Sequence, residues 1–287
     1  MTIKRKINLN LNTVYNYIIA IPSYNRYQII NTHTIATLER HKIETKKIYI
    51  FVANKTEYQK YKNTLDSKYH KNIIIGKKGL KQQRNFISSY FPEYQCIVQF
   101  DDDIEELYEL YHPIKEDYDK WINLEPQEFK KKEFRKQQTL KPIKNLNKLI
   151  QDTFKTCIIK GIYLWGIYPT PNPYFMSFNE DTRLNFIVGP MFGIINRHDR
   201  DLKLSLDEKE NSERTLQYFI KDGIVLRLNN ISIGTKYYKN PGGMQSEKKN
   251  RKIEAAKSVD ILHSRYPTLT KKYIKKSSGM PEIKLIK

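Results

Sequence analysis

The chain has 287 residues and a formal charge of +20, from 51 Lys and Arg against 31 Asp and Glu, with a 39% hydrophobic share that is ordinary for a protein folded in water. No apolar run approaches the roughly 20 residues that cross a bilayer, and "MTIKRKINLNLNTVYNYII" lacks the continuous apolar core and cleavage site of a secretory signal. Cys96 and Cys157 lie far apart without CxxC spacing, which argues against a disulfide scaffold or a zinc site and fits a reducing intracellular compartment.

In chain order, "YIIAIPS" reads as an apolar strand ended by Pro22 and Ser23, and Gln28 to Arg40 as a helix. "KIYIFVA" (Lys47 to Ala53) is β-branched and aromatic and reads as a strand. A polar helix from Thr56 to Ser67, a short strand at Asn72 to Gly76 and a helix at Leu80 to Phe91 follow. That last helix places Leu80, Arg84 and Ile87 on one side, and "CIVQF" is the fourth strand. Strands separated by such helices indicate an α/β fold with a largely parallel sheet and right-handed crossovers.

Residues 113–148 are rich in Lys, Glu and Gln and read as a basic helical insertion outside the core. A second apolar region runs from Ile158 to Ile195, followed by a helix at Ser212 to Lys221 and strands in "GIVLRLNNISIG". A helix near Glu254 to Arg265 and a lysine-rich tail close the chain. The expected division is 1–112, 113–148, 149–267 and 268–287, with the first and third units as two halves of one domain.

The charge attracts polyanions, of which nucleic acid is the commonest in a cell. A coding bias toward AT would also inflate Lys, Asn, Ile and Tyr, yet lysine neutralises phosphate whatever its origin. "AIPSYNR" puts Ser23, Asn25 and Arg26 at the carboxyl end of a strand, where open α/β sheets bind ligands. The plainer alternative is a strand-to-helix turn with a Ser or Asn cap. In "GKKGLKQQRNF", Gly79 precedes a helix whose positive N-terminus suits an anion. Arg84 and Asn85 reach a ligand there only if that helix points into the cleft; otherwise it is a solvated basic helix.

Asp101, Asp102 and Asp103 directly follow the apolar "CIVQF". In extended chain Asp101 and Asp103 share a face, and two hard oxygen ligands with water and phosphate suit Mg²⁺ or Mn²⁺. The alternative makes Asp103 the N-cap of an "IEEL" helix, with its neighbours favouring the positive helix end. The histidines have no metal-ligand spacing, and His263 is only a weak candidate for a late ligand.

These motifs in this order resemble the nucleotide-sugar half of GT-A glycosyltransferases. Within that superfamily the chain is similar to the TET/JBP-associated glycosyltransferase group, which includes the base-J glucosyltransferase and phage enzymes proposed to act on hydroxymethylated pyrimidines. The resemblance extends through "YPTPNPYFM", "FIVGPMFGIINR", "KENSERTLQYFIKDG" and "NPGGMQ", covering most of 17–267 outside the insertion. It implies a GT-A-like fold and transfer of a hexose, with UDP-glucose the expected donor and a hydroxymethylated base in DNA the acceptor. Pro22, Ser23, Tyr24, Asn25 and Arg26 would hold the nucleotide, with Gly79, Arg84 and Asn85 near the diphosphate. Asp101 and Asp103 would carry Mn²⁺ or Mg²⁺, and Asp102 would orient the sugar.

Lysines of the insertion and tail would grip the phosphate backbone without reading sequence. The resemblance also implies a protein of host-cell cytoplasm, if viral or phage-borne, or of a nucleus, with no membrane partner. The helix beginning in "SLDEKENSERTLQYF" would supply the base, where relatives carry Glu-Asp and this chain has Glu210 followed by Asn211. Asp207, Glu208, Glu210 and Glu213 remain, with Asp207 or Glu210 favoured. "YPTPNPYF" also reads as a rigid proline loop, and "VGPMFGII" as a strand with a glycine kink. Two other functions fit part of the pattern. One is a GT-A enzyme acting on a protein, lipid or polysaccharide; the other is a non-catalytic nucleic-acid-binding protein.

Overall fold

The computed structural model describes residues 7, 9–235, 251–276 and 278–286. The turn expected at "NPGGMQ" (240–245) lies outside them. The first strands are β1 (Ile18–Pro22), β2 (Ile48–Val52), β3 (Ile73–Ile75) and β4 (Cys96–Phe100). They are followed by β5 (Ile104–Tyr111), β6 (Thr139–Pro142), β7 (Leu164–Ile167), β8 (Glu180–Asp181) and β9 (Met191–Ile195). The chain ends with β10 (Leu226–Leu228), β11 (Ile231–Thr235), β12 (Thr270–Lys275) and β13 (Met280–Leu285).

The main sheet has eight strands in the order β3-β2-β1-β4-β9-β7-β10-β8. β1 to β4 are mutually parallel, and β9 runs antiparallel to both β4 and β7, so β7 and β10 regain the direction of β1. The architecture is thus α/β with a mostly parallel central sheet. β4 is buried throughout, as are the first four residues of β1, which reads as the continuous apolar run of a strand covered on both faces.

Side chains alternate between two cores. Ile19 and Ile21 of β1 and Cys96, Val98 and Phe100 of β4 join a core with α1 (Tyr27–Ile30), α2 (Ala36–Arg40), α3 (Lys55–Thr64) and α7 (Leu146–Lys160). Ile18, Ala20 and Ile97 point the other way, toward α4 (Leu80–Tyr90), α8 (Glu210–Asp222) and α9 (Arg251–Arg265). The helix expected over Gln28 to Arg40 is present as α1 and α2 joined by a widened π turn, Asn31–Ile35.

Three expectations change. "IEEL" is strand β5, not a capped helix, and it pairs with β11 and β6 in a second sheet. Its buried residues Ile104, Leu107 and Leu110 recur every third position, which imitates a helix face. The register accounts for the first interval: Gly234 pairs with Glu106 and Thr235 with Ile104, so Glu105 is bulged out and Ile104 shares a face with Leu107.

Residues 113–148 are not wholly outside the core. Between α5 (Tyr118–Ile122) and α6 (Lys132–Lys136) the segment packs Trp121, Phe129 and Phe134 together with Phe178, and β6 joins β5. The expected limit at 148 falls within α7. The lysine-rich tail is a β12–β13 hairpin lying on α9.

Candidate active site

The carboxyl ends of adjacent β1 and β4 open into a cleft of about 930 Å³, the crevice position expected of an open α/β sheet. Pro22, Ser23, Tyr24, Arg26, Gly79, Arg84, all three aspartates, Asp207 and Glu210 line it. The two predicted asparagines do not. Asn25 is exposed at φ 54, with its backbone N–H donating to Glu57 Oε2 at 2.6 Å. Asn85 exchanges hydrogen bonds with the backbone of Leu204, both at 2.9 Å, and so pins a neighbouring loop. The Asn85 side chain thus serves the scaffold, and Asn25 contributes a backbone N–H to it.

β1 ends at Pro22, and the chain then turns so that Ser23 and Arg26 face β4. Ser23 Oγ donates to Asp102 Oδ2 at 2.5 Å, and Arg26 Nη1 donates to Asp102 Oδ1 at 2.8 Å and Asp103 Oδ2 at 3.1 Å. Thr235 Oγ1 donates to the other Asp103 oxygen at 3.0 Å. Asp102 is buried, and that burial raises its pKa to about 6 against the opposing pull of Arg26 and Ser23.

Asp101 is more open, its side chain 33% exposed, and Arg84 Nη2 lies 3.3 Å from its Oδ1. Burial raises its pKa, opposed by Arg84. The π turn supports this loop: Thr34 Oγ1 donates to the Asp101 carbonyl at 2.8 Å and accepts from the Ile104 N–H at 3.0 Å. Such widened turns recur at functional sites.

Arg84 reaches the cleft from α4, whose N-cap Gly79 has φ 99, a conformation side chains resist. Its guanidinium also donates to Gln99 Oε1 at 2.9 Å and to the Gly189 carbonyl at 3.4 Å. Gly189 has a reason of its own, since a Cβ there would meet the Asn211 amide at 2.7 Å. Gly193 is the other glycine of "VGPMFGII": a Cβ would lie 2.1 Å from Trp165 Nε1, so this glycine admits an indole, not a ligand.

The candidate bases differ. Glu210 opens α8 and is buried, with its pKa raised by burial against the pull of Arg84 and Arg214. Asp207 is 39% exposed and pairs with Lys81 at 3.3 Å. Glu213 is structural: it accepts from Ser205 and Leu206 N–H groups at 2.9 and 3.0 Å and pairs with Arg265 at 3.1 Å. Glu208 pairs with Arg251 at 3.4 Å. His263 bonds Thr270 at 3.0 Å and is not among the cleft-lining residues.

Some lining residues escaped the sequence reading. Arg227 interrupts the apolar "LRL" of β10, a signal that was available, and its guanidinium bonds Asn229 at 2.7 Å and stacks over Tyr168. Lys77, Thr235, Asn211 and the hairpin residues Tyr273, Lys275 and Lys284 reach the cleft only through tertiary packing. Among the described residues no three His, Cys, Asp or Glu side chains are grouped to hold a cation. Asp101 and Asp103 therefore offer at most two carboxylates, a set that fits Mg²⁺ or Mn²⁺ when water and phosphate complete the shell.

No protein-family model matches the chain, and no curated protein matches it. Among solved structures it is similar to S. aureus TarS 1–349, at TM-score 0.45 and 11% identity, over 76% of this chain and 59% of that one. It is also similar to TarS 1–349 in complex with UDP-GlcNAc, at TM-score 0.47 and 13% identity, over 81% of this chain and 61% of that one. The chain thus spans about three-fifths of the length of these structures.

Proposed function

We propose that the chain is a metal-dependent glycosyltransferase moving glucose from UDP-glucose to the hydroxyl of a hydroxymethylated pyrimidine in DNA. The observation that carries this reading is the set of three aspartates facing Arg26 and Arg84 across the crevice between β1 and β4. The motif resemblance supports the donor and acceptor classes, and the charge of +20 supports a polyanionic acceptor.

In this reading Tyr24 and Arg26 hold the nucleotide, and Asp102, fixed by Ser23 and Arg26, orients the sugar. Asp101 and Asp103 hold Mn²⁺ or Mg²⁺, which when bound supplies positive charge to the diphosphate. Arg84 and the N-terminus of α4 at Gly79 face the same phosphates. The acceptor hydroxyl attacks the anomeric carbon as the bond to UDP breaks, and its proton passes to Glu210 or Asp207. A hydroxymethyl group inside a duplex is reached in the groove or after the base leaves the stack.

The test incubates the protein with UDP-glucose, Mn²⁺ and hydroxymethylated DNA, then weighs the digested nucleosides. Asp103→Ala should lower transfer by at least about a hundredfold, more than loss of a second-shell metal partner, with DNA binding nearly intact. Full activity of that variant in the presence of metal removes the metal assignment. Retention on DNA that ignores salt moves the acceptor to a protein, lipid or polysaccharide. DNA binding without Mn²⁺-dependent cleavage of UDP-glucose leaves a non-catalytic binding protein.

A further inference from the structure

The hairpin register places Lys271 opposite Lys284, Tyr273 opposite Glu282 and Lys275 opposite Met280. Directly opposed residues share a face, as do residues two apart on one strand. Lys271, Tyr273, Lys275, Glu282 and Lys284 therefore stand on one side of the ribbon. The other side carries Pro281 and Ile283, both buried, with Ile283 packed among Val259 and Leu262 of α9. Lys272, on that second side, reaches Asp260 of α9 at 2.9 Å. From the first side, Tyr273, Lys275, Glu282 and Lys284 line the cleft wall beside the start of α8, joined by the edge of Ile283 and Leu285 from the second. An ion pair of 2.7 Å from Lys209 to Glu282 latches the ribbon there.

Folding alone does not account for the composition of this face. Like charges directly opposite one another destabilise an antiparallel pair, yet Lys271 and Lys284 are so placed. Among the described residues no carboxylate pairs with Lys271, Lys275 or Lys284, and the one acid on the face is taken by Lys209. Tyr273 stands between these lysines with 46% of its surface exposed. An extended polyanion would relieve the repulsion, and a planar group would cover the ring. An anionic membrane surface offers the first but cannot present a flat face to a ring along a cleft wall. A polynucleotide offers both, because every base has a face on which an aromatic ring stacks.

We infer that this face is the docking strip for a polynucleotide strand. Lys271, Lys275 and Lys284 take its phosphates, and the Tyr273 ring stacks on a base at the mouth of the cleft. That the strand is the acceptor rests on the glycosyltransferase reading above; that it binds here does not.

The test uses the full chain and a fluorescently labelled single-stranded oligonucleotide, with anisotropy read across a salt series. The double variant Lys271→Gln/Lys284→Gln should bind more weakly and lose about 1.4 from its salt slope, at roughly 0.7 per phosphate contact on a single strand. The same variant should melt at a higher temperature, because the opposed charges are gone. Tyr273→Ala should weaken binding roughly 5- to 150-fold while Tyr273→Phe retains it, as loss of one stacked base implies. A double variant that melts higher yet binds with unchanged affinity and slope overturns the inference. So does displacement of the oligonucleotide from the wild type by phosphatidylserine vesicles at equal charge. UDP-glucose cleavage by the wild type is read in parallel. Its absence, with hairpin-dependent binding intact, removes the transferase reading and leaves the strip standing.

Discussion

On the floor of the cleft, Asp102 is held by Ser23 and Arg26, Asp103 by Arg26 and Thr235, and the loop carrying them by Thr34. On the rim, Asp207 is 39% exposed beside one lysine, and an ion pair from Lys209 latches the hairpin. A buried carboxylate with several partners cannot be removed without stranding an opposite charge, whereas exposed pairs contribute little. The floor is accordingly preorganised before any ligand arrives. The rim can adjust to a ligand at small cost.

Substitutions at Glu210, Asp102, Thr34 and Asp181 probe that contrast in decreasing order of consequence. Glu210→Gln should lower transfer by roughly 10²- to 10⁴-fold, the usual contribution of a general base, while Asp207→Asn changes it only a few-fold. Burial has raised the proton affinity of Glu210 and suits it to the role; the reverse ranking in initial-rate assays would hand the role to Asp207. Asp102→Ala should lower unfolding stability by about 1–3 kcal/mol in urea titration, because Ser23 and Arg26 lose a buried acceptor while Asp103 keeps Arg26 paired. A loss below about 1 kcal/mol, the range of exposed pairs, would show that the floor is no more rigid than the rim.

Thr34→Val keeps shape but strands the Ile104 N–H, and should cost about 1–2 kcal/mol by the same measurement. The smallest effect is expected at Asp181 of β8, whose pKa Arg183 holds down to about 2 from 3.8. A depressed carboxylate contributes stability that is present above pH 3.8 and lost as pH falls toward 2. Wild type should exceed Asp181→Asn by less than about 1 kcal/mol at pH 7, since Arg183 is 80% exposed. The two should converge only below pH 2, once Asp181 is protonated in both states; a difference that persists there would assign the effect to packing.

The floor was legible because its information is local. Apolar runs ending in "PSYNR" and "DDD" mark two strand ends, and the parallel sheet brings those ends together. The rim was not, because its geometry depends on distant partners. Asn85 looks like a ligand residue beside Arg84 until Leu204, 119 positions away, claims its amide. Strand β5 was disguised because its buried residues fall three apart, and a bulge at Glu105 sets only the first of those intervals. β12 was hidden differently: only Thr270 of its six residues is buried, so no alternation of apolar and polar residues marks it as a strand.

The π turn between α1 and α2 bears on which changes in length the chain tolerates. Thr34 reaches the Asp101 carbonyl from within the turn, and Thr37, just beyond it, donates to the carbonyls of Ile104 and Glu105 at 3.1 and 3.0 Å. A π turn absorbs an extra residue locally, so deleting one residue there would restore regular α geometry and leave the flanking helices nearly in phase. Thr34, inside the turn, would then lose its place against the Asp101 carbonyl, while Thr37, beyond it, would keep its contacts. A change of count between Tyr27 and Arg40 would thus be felt first at the Thr34 contact with the aspartate loop.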